Sequence, residues 1–375
     1  MAHPATALPE LVLVFAPYVE RSGVLTSEHY DLPEYRTEIG SWMDALGVAW
    51  QWRPVTSANL QDELENAAAT ARSQRMVVFN LCDGTSSDGY PGLEVVEGLA
   101  RRSIPYTGAD PVFYRNTTSK AVSKAMFVAA SVPTAPSYLL RSGIADLGAA
   151  IEQVGFPIMI KPDVSAGSYG IQVDSVCYDR ASAERKIGQL LAGLHGQHFA
   201  ENGILAEAFV QGREFTVLAV EDPRQPMGLL VVPAAERVFD ARVPANERFL
   251  AFERYWVLPE ANRRLPEGEP YYHYDLAPGD WQEALADITR RAMRAVGGCA
   301  YARADIRYDE ARRQFYVLEV NAQCGLSADD SATVGSMLRL SGFSIVDIIQ
   351  RVIIHGSNRE QGAAALVRQE IAVSK

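Results

Sequence analysis

Tyr301-Ala-Arg-Ala-Asp-Ile-Arg307 and Val317-Leu-Glu-Val-Asn321 are two neighbouring segments in which polar and apolar residues alternate. Alternation with a period of two is typical of a β-strand that buries one face. The polar residues 309–313 between the segments resemble a turn, so the sequence predicts a two-stranded hairpin. The predicted apolar face contains Ala304, Ile306, Leu318 and Val320.

The other face of this hairpin gathers two acidic residues. A hairpin symmetric about Arg312 places Asp305 opposite Glu319. The same register places Arg303 opposite Asn321. Two carboxylates about 5 Å apart repel each other by roughly 3 kcal/mol at an effective dielectric constant near 20, unless a cation lies between them. Oxygen atoms from two carboxylates and an amide suit Mg2+, but a solvated face neutralised by the arginines of the strand is an equal alternative on spacing alone.

The composition limits the class of protein. A length of 375 residues suffices for two or three domains, and 48% apolar with 22% charged residues is typical of a soluble globular chain. No apolar run reaches the roughly 20 residues of a membrane-spanning helix, and the first 17 residues lack signal-peptide features, so we expect a cytoplasmic protein without a membrane partner. The net charge of −11, with scattered basic residues, argues against nucleic acid as a partner. The four cysteines have no CxxC spacing and are predicted to be free thiols.

Strand-like and helical segments alternate in the first third of the chain. Such alternation predicts βαβ units and a mostly parallel sheet. Residues 236–278 show no clear period and are predicted to be rich in loops around an active site. The alternating segments are Leu11–Ala16, Ala49–Arg53 and Met76–Leu81 as strands, and Glu34–Leu46 and Leu60–Ser73 as helices.

Five motifs occur in a fixed order along the chain. They are Val78-Phe-Asn-Leu81 together with Ile104-Pro-Tyr-Thr-Gly108, Phe156-Pro-Ile-Met-Ile-Lys-Pro162 with the small-residue loop to Gly170, Ile204-Leu-Ala-Glu-Ala-Phe-Val-Gln-Gly-Arg-Glu-Phe-Thr-Val217, Arg303-Ala-Asp305, and Leu318-Glu-Val-Asn-Ala-Gln-Cys-Gly-Leu-Ser327. Each is weak alone, but in this order the motifs resemble the D-alanine–D-alanine ligase branch of the ATP-grasp superfamily, from about Leu11 to Val346. The resemblance favours the metal site over the solvated face.

The resemblance implies an ATP-grasp fold built from α/β and α+β units. An amino-terminal parallel-sheet domain, residues 1–115, would bind substrate. A central ATP-grasp subdomain with a glycine-rich loop would cover residues 116–212, and a carboxy-terminal ATP-grasp subdomain with the metal site would cover residues 213–375. ATP would lie between the second and third units.

The resemblance also implies ATP and Mg2+ as cofactors, with two metal ions that Mn2+ could replace. Lysine ammonium groups act as compact charges towards phosphates, and a loop of small residues lets backbone N–H groups approach phosphate oxygens. Glu207 would accept a hydrogen bond from the adenine amino group. Glu214 would hold the ribose, and Lys124 is interpreted as a surface residue. The implied cofactor-binding residues are Lys120, Lys161, Ala166, Gly167, Ser168, Glu207, the hinge pair Phe209 and Val210, and Glu214, and the implied metal ligands are Asp305, Glu319 and Asn321.

The implied reaction has two steps. A substrate carboxylate attacks the γ-phosphate of ATP to give an acyl phosphate. An amine then attacks the carbonyl carbon, while Arg303 stabilises the oxyanion. Such catalysis depends on positioning and electrostatics, so it requires no nucleophilic side chain. The implied catalytic residues are Arg303, Glu20, Ser168 and Arg254, and the implied substrate contacts are Glu20, Tyr18, Cys82, Gly325 and Ser331.

Three other functions stay open at this point. One is a different ATP-grasp chemistry, such as intramolecular cyclisation or carboxylation, and another is the housekeeping D-alanine–D-alanine ligase. The third is a nucleotide-binding protein without turnover. The implied partners are small amino acid or peptide substrates, and a homodimer is an open alternative to a monomer.

The chain departs from housekeeping D-alanine–D-alanine ligase at three places. The first loop has Phe15-Ala16, followed by Pro17-Tyr18, where that enzyme has paired glycines. Cys82-Asp83 occurs where it has a histidine, and Gly167 occurs where its mobile loop has a serine. Each change is expected to alter the wall of the first-substrate pocket, and pocket shape sets specificity. We therefore expect a specialised ligase that makes a dipeptide or another amide, as in antibiotic biosynthesis, rather than the housekeeping enzyme.

Overall fold

The structure is a computed structural model that describes residues 7–27, 30–85, 88–194, 198–255 and 270–373. Its strands are β1 (Leu11–Pro17), β2 (Val19–Arg21), β3 (Val24–Thr26), β4 (Ala49–Val55), β5 (Met76–Asn80), β6 (Ser137–Leu140), β7 (Ile158–Pro162), β8 (Val176–Cys177), β9 (Ile204–Ala208), β10 (Gly212–Glu221), β11 (Leu229–Val231), β12 (Ala235–Phe239), β13 (Tyr272–Leu276), β14 (Tyr301–Asp309) and β15 (Gln314–Ala322). Its α-helices are α1 (Pro33–Leu46), α2 (Leu60–Ser73), α3 (Leu93–Arg101), α4 (Pro111–Thr118), α5 (Lys120–Ala129), α6 (Leu147–Val154), α7 (Arg180–Ala192), α8 (Phe252–Tyr255), α9 (Gln282–Ala295), α10 (Thr333–Ser341) and α11 (Ile345–Val373). Within these described ranges, no helix combines the length and the apolar character needed to cross a membrane.

The amino-terminal sheet has three parallel strands in the order β4-β1-β5. Alternate residues of β1 pack on opposite faces of this sheet. Val12 joins a core with Trp42 of α1, and Leu13 joins a core with Leu64 of α2. Because both faces are covered, every residue of β1 is buried, which explains its continuous apolar run. The predicted parallel sheet is confirmed.

A four-stranded antiparallel sheet follows, in the order β6-β9-β7-β8. Ile160 of β7 packs into a core with Leu147 of α6 and Ile187 of α7. Since side chains alternate along a strand, Lys161 points to the opposite face. Glu207 of β9 is its diagonal neighbour, because the residue opposite Glu207 is the second before Lys161. This sheet therefore carries charged groups on the face away from its helices.

The third sheet is antiparallel, with the order β13-β12-β10-β14-β15 and with β11 beside β10. On one face, Ala304 packs with Leu285 of α9 in the same core that buries Leu13 of the first sheet. The first and third predicted units thus share a core, and the division of the chain at residues 115 and 212 stays a prediction. The opposite face carries polar side chains, including Thr216 and Asp305.

The hairpin of β14 and β15 contains a β-bulge. Its register shifts between Asp305 and Ile306, so β15 has one extra residue and its side chains leave strict alternation. As a result, Val317 is fully buried and Leu318 is only half-buried. The prediction that Leu318 lies on the apolar face is wrong, whereas the other three residues predicted for that face are buried.

Residues 236–278 are more regular than predicted. They contain most of β12 and all of β13, while residues 256–269 lie outside the described residues. The pattern missed β12 because Arg237, in the middle of the strand, is buried and pairs with Glu214 and with the hydroxyl of Tyr274. A buried arginine occupies a position where the alternating pattern expects an apolar residue.

Candidate active site

The two facing acids lie where the sequence predicts them. Asp305 on β14 is opposite Glu319 on β15. The next pair along the hairpin is Arg303 and Asn321, again as predicted. The bulge falls on the turn side of Asp305, so it leaves this register intact. On the other edge of β14, β10 places Thr216 beside Asp305.

Asp305 is the centre of a hydrogen-bond network. Arg303 donates to both of its carboxylate oxygens, at 3.0 and 2.9 Å, Thr216 donates at 3.0 Å, and Asn321 donates at 2.9 Å. Burial acts to raise the pKa of this carboxyl, but the charge and hydrogen bonds of Arg303 outweigh it, so the pKa lies below its ordinary value. Asp305 is therefore ionised and held in place at neutral pH.

Arginine neutralisation, the alternative to a metal site, applies to only one of the two acids. Arg303 pairs with Asp305, but Arg307 pairs with Glu214 instead, at 2.8 Å. Glu319 keeps a third of its side chain exposed, and its ion pair within the described part of the chain is with Lys120, at 3.9 Å. Glu319 therefore has a charge that a metal ion could compensate.

The donor set fits Mg2+. Asp305, Glu319 and Asn321 offer two carboxylates and an amide oxygen, and Mg2+ in nucleotide sites takes one or two carboxylates together with phosphate oxygens and water. Among the residues that the structure describes, no group of three or more His, Cys, Asp or Glu side chains could form a complete metal cage. A metal ion held by Asp305, Glu319 and Asn321 would need further ligands, which nucleotide phosphates and water could supply.

A buried lysine cluster surrounds Glu207. Lys161 lies 3.1 Å from one oxygen of its carboxylate, and Lys124 lies 2.5 Å from the other. Burial acts to raise the pKa of Glu207, but the two ammonium groups outweigh it and lower the pKa. Lys120 is buried as well, and its ammonium donates to the carbonyl of Ser165 at 2.9 Å. The cluster places an ionised acceptor beside several cations, and the adenine and phosphate roles predicted for these residues stay predictions.

Lys124 is not the surface residue that the sequence interpretation expects. It is 2% exposed, because its position four residues after Lys120 on α5 places both on one helical face. It also donates to Thr134 at 2.8 Å, and Thr134 donates to the carbonyl of Val317 on β15. The composition contained a signal for it: the chain has only five lysines among its 35 basic residues. The lysine ammonium is a compact charge, whereas the arginine guanidinium is planar. In a chain that otherwise uses arginine, a lysine therefore indicates a position that needs the compact ammonium group.

Lys124 and Glu207 are expected to stabilise the fold as a pair. Lys124→Met should lower the free energy of unfolding by about 3 kcal/mol, because it leaves a buried carboxylate with one cation fewer. In the double variant with Glu207→Gln, the loss in free energy of unfolding should be smaller than the sum of the two single-variant losses by about 1–2 kcal/mol. Urea unfolding of the four proteins gives this coupling. Lys186 is the matched control, since it is equally buried but pairs with Asp174. The losses in the free energy of unfolding caused by Lys186→Met and Glu207→Gln should therefore add. If the losses caused by Lys124→Met and Glu207→Gln also add, the pairing is contradicted.

The glycine-rich loop follows β7 and has an exposed tip. Gly167 and Ser168 adopt left-handed backbone conformations, with φ of 54° and 62°. The Tyr169 N–H donates to the carbonyl of Ala166 at 3.0 Å, which closes a tight turn. Ala166 and Gly167 are exposed, and Lys120 binds the start of the loop. This arrangement suits a phosphate group, and the phosphate contacts of the loop stay a prediction.

The predicted hinge residues and the predicted ribose residue contact two arginines, Arg307 and Arg237, whose roles the sequence did not indicate. Arg307 donates to the carbonyl of Val210 at 2.8 Å and lies over the ring of Phe209, 5.2 Å from its centroid. The carboxylate of Glu214 is buried between Arg307 and Arg237. A ribose would therefore share this acid with two guanidinium groups. The strand register could have revealed the trio, because both arginines lie directly opposite Glu214.

Two of the residues expected at the first-substrate pocket belong to the core instead. Cys82 is fully buried, and its thiol faces the carbonyl of Phe15, itself fully buried, at 3.7 Å. The prediction that these side chains form the pocket wall is wrong, because both pack behind the sheet edge in one hydrophobic cluster. Tyr18 is nearly buried and donates to the carbonyl of Tyr30 at 2.7 Å. Glu20 is exposed on the hairpin of β2 and β3, and its substrate role stays a prediction.

The remaining predicted residues lie in loops. Gly325 and Ser331 are exposed after β15, and the Ser331 N–H donates to Asp329 at 2.7 Å. Arg254 of α8 donates to the carbonyl of Glu247 at 2.6 Å and to its carboxylate at 2.5 Å. Its guanidinium is thus already paired, and its contact with a transferring phosphate stays a prediction.

Comparisons with known proteins agree with this geometry. Residues 118–246 match the family model described as phosphoribosylglycinamide synthetase, ATP-grasp (A) domain. The D-alanine–D-alanine ligase of Chromohalobacter salexigens is 28% identical over 290 residues, which cover 77% of this chain and 79% of that protein. Among solved structures, the D-alanine–D-alanine ligase of Bacillus anthracis complexed with ATP has a TM-score of 0.63 at 16% identity, over 95% of this chain and 100% of that one. The biotin carboxylase of Campylobacter jejuni has a TM-score of 0.61 at 14% identity, over 92% and 71%.

The structural similarities have low sequence identity and therefore establish the fold. They include more than one kind of enzyme, whereas the sequence relative spans most of both chains and is a ligase. The chain is therefore similar to D-alanine–D-alanine ligases over most of its length, and its residues 118–246 match an ATP-grasp domain.

Proposed function

We propose that the protein is an ATP-dependent carboxylate–amine ligase that forms an amide bond through an acyl phosphate. The observation that carries this proposal is the register of Asp305, Glu319 and Asn321 on one face of the third sheet, with Lys120 reaching from α5 towards Glu319. This arrangement supports the proposal, because oxygen donors suited to a divalent metal lie beside an ammonium group that could bind phosphate. Its substrates would be small molecules, and a homodimer stays an expectation.

Each group has a proposed task in the reaction. Lys120 and Lys161 would hold the ATP phosphates, and the exposed backbone of the glycine-rich loop would cover them. When bound, Mg2+ would neutralise charge on the transferring phosphoryl group. Arg303 lies one register pair from the acids and would stabilise the oxyanion formed when the amine attacks. The hydrogen bonds from Arg303 to Asp305 keep its guanidinium in place for that task.

The cysteines do not support a covalent thiol mechanism. Burial raises the pKa of Cys177 and Cys299 to about 11 and that of Cys324 to about 12. It also raises the pKa of Cys82 well above its ordinary value. A reactive cysteine needs a lowered pKa, since the thiolate is the nucleophile. These thiols are therefore protonated at neutral pH, which supports catalysis by positioning and charge.

One assay separates ligation from the alternative chemistries. Phosphate release from ATP is measured with amino acids singly and in pairs and with bicarbonate, and mass spectrometry identifies the product. A ligase requires both an acid and an amine and yields an amide. Phosphate release that needs bicarbonate alone, with a carboxylated product, would indicate carboxylation, and the absence of any turnover would indicate a binding protein.

We further propose a specialised ligase, with peptide natural products such as antibiotics as the expected pathway. Since Phe15 and Cys82 are buried in the core, the argument rests on the departures at positions with accessible groups. Asp83 places an exposed acid at the sheet edge, and Gly167 puts a backbone turn without a hydroxyl at the loop tip. An added charge and a lost hydroxyl both change what a substrate pocket accepts.

D-Alanine is expected to be a poor substrate. Supplied with ATP and Mg2+, it should give D-alanyl-D-alanine with kcat/KM well below the ~10⁴ M⁻¹s⁻¹ floor of ordinary enzymes. The same assay with the best acid and amine from the pairwise panel provides the comparison. Efficient formation of D-alanyl-D-alanine would show that the enzyme is the housekeeping ligase.

A further inference from the structure

Thr134 lies in the loop of residues 130–136 that joins α5 to β6, and its hydroxyl bridges two elements of the candidate active site. The hydroxyl accepts a hydrogen bond from the ammonium of Lys124 at 2.8 Å and donates one to the carbonyl of Val317 at 2.7 Å. A lysine ammonium only donates, and a hydroxyl has a single proton. The direction of both hydrogen bonds is therefore fixed, and the proton of Thr134 is committed to Val317.

Val317 belongs to β15, which is an edge strand of the third sheet. An edge strand presents N–H and C=O groups that no neighbouring strand satisfies. Here the Val317 N–H donates to the carbonyl of Pro133 at 2.9 Å, and the Val317 carbonyl accepts from Thr134. The loop between α5 and β6 therefore holds both polar backbone groups of Val317 at the outer edge of the sheet.

The backbone that Thr134 holds is next to the β-bulge and close to a proposed metal ligand. Val317 is opposite Ile306, whereas Glu319 is opposite Asp305, so β15 has one extra residue between these two pairs. A bulge interrupts the hydrogen bonds between the strands and bends the bulged strand. The position of the backbone just before Glu319 therefore depends less on β14 than in a regular hairpin, and the contacts with the loop help to fix it.

The other end of the same loop is attached to the strand that carries Glu207. The carbonyl of Pro136 accepts a hydrogen bond from the Ala208 N–H at 2.8 Å. Ser137, the first residue of β6, is opposite Glu207 on β9. Lys124 adds a side-chain contact, since its ammonium lies 2.5 Å from the Glu207 carboxylate. The loop thus connects β9 of the second sheet with β15 of the third.

We propose that Thr134 is a positioning residue that couples recognition of adenine at Glu207 to the placement of Glu319 for Mg2+. The carboxylate of Glu207 contacts Lys124, and Lys124 donates to Thr134. Thr134 in turn fixes the backbone two residues before Glu319. Binding that orders one end of such a network lowers the entropic cost of ordering the other end. This inference rests on the proposed ligase function and adds that the base of the nucleotide strengthens its metal site.

Calorimetry of nucleotide binding tests the coupling on the full-length protein without any turnover. The two ligands are ADP and inosine diphosphate, which has a carbonyl oxygen in place of the adenine amino group. Each ligand is titrated into the protein with and without Mg2+, and the ratio of the two dissociation constants is the Mg2+ effect on that ligand. In the wild type, this effect should be at least about fivefold larger for ADP than for inosine diphosphate, the lower end of typical coupling between two sites.

The Thr134→Val variant should remove the difference between the two nucleotides. Valine keeps the branched shape of threonine, but it neither accepts from Lys124 nor donates to Val317, so Mg2+ should strengthen the binding of both nucleotides equally. Thr134→Ser keeps the hydroxyl and should keep the wild-type difference. Thr117→Val is the matched control and should also keep it, since Thr117 is half-buried and its hydroxyl donates to the carbonyl of Phe113 at 2.8 Å within α4.

Each possible result decides a separate point. An equal Mg2+ effect on the two nucleotides in the wild type would overturn the coupling, and this comparison needs no variant to fold. A Thr134→Val protein that keeps the difference, or a Thr134→Ser or Thr117→Val protein that loses it, would overturn the role of the Thr134 hydroxyl. No Mg2+ effect on either nucleotide would overturn the inference together with the metal site of the proposed function. A protein that shows the coupling but forms no amide would contradict the ligase function alone.

Discussion

The Glu319→Gln protein is expected to stay folded and to lose Mg2+-dependent ATP turnover by about 10³-fold or more, because charge neutralisation by a metal is worth several kcal/mol. Glu319 is one of two facing carboxylates, and a third of its side chain is exposed. Its replacement removes little packing and one of the proposed metal ligands. Asp305→Asn should have the same effect on turnover, with a larger loss of stability because it disturbs the hydrogen bonds from Arg303 and Thr216.

Two measurements check this prediction. Phosphate release gives turnover, and calorimetry of ADP binding with and without Mg2+ reports the metal site without any reaction. Mg2+ should strengthen ADP binding in the wild type and have little effect in Glu319→Gln. Glu310→Gln, at the exposed turn of the same hairpin, is the matched control and should behave as the wild type. Wild-type turnover with wild-type Mg2+ dependence in Glu319→Gln would rule out the two-carboxylate site.

Arg303→Ala is expected to keep ATP binding and to lose amide formation. Removing one donor to an oxyanion typically costs ~2.7–4 kcal/mol of activation free energy, or about 10²–10³-fold in kcat. Arg303 donates two hydrogen bonds to Asp305, so its loss also frees that acid. Because the released carboxylate would still be available to the proposed metal ion, we expect Mg2+-dependent nucleotide binding to persist.

The result that distinguishes the oxyanion role is an unchanged nucleotide affinity together with a slower rate of amide formation. Calorimetry with ADP and Mg2+ should give an affinity close to that of the wild type, while single-turnover amide formation slows. Arg303→Lys keeps the charge but loses the two-pronged contact, so its rate should lie between those of Arg303→Ala and the wild type. An Arg303→Ala enzyme within about twofold of the wild-type kcat would exclude the oxyanion role, given the cost of losing such a donor.

The sequence predicts the hairpin and its acids because their pattern is local. Strands with a period of two and a short turn allow one register, which puts Asp305 opposite Glu319. The same reasoning fails for Leu318, because a bulge shifts the register on the turn side of the acids. A bulge adds one residue to one strand. The adjacent apolar residues Val317 and Leu318 interrupt the alternation there, but the pattern alone does not say which of the two faces the core.

Other features depend on contacts between distant segments. Helical spacing alone places Lys124 on the same face as Lys120, but its partner Glu207 lies on a strand more than 80 residues further along the chain. Arg237 is buried by its pairing with Glu214 on the neighbouring strand, and composition does not indicate this. Cys82 stands at a motif position, yet its thiol turns into the core. Motif position predicts where the backbone runs, whereas side-chain direction depends on packing.

The most direct test of the ligase proposal follows an oxygen atom. An acid substrate from the panel is labelled with 18O in its carboxylate, and the phosphate released from ATP is analysed by mass spectrometry, together with the amide product. If the carboxylate attacks the γ-phosphate and an amine then displaces phosphate, one labelled oxygen appears in each inorganic phosphate, and the amide retains the other. Unlabelled phosphate in reactions that form the amide would contradict the acyl-phosphate mechanism, and labelled phosphate without any amide would contradict ligation.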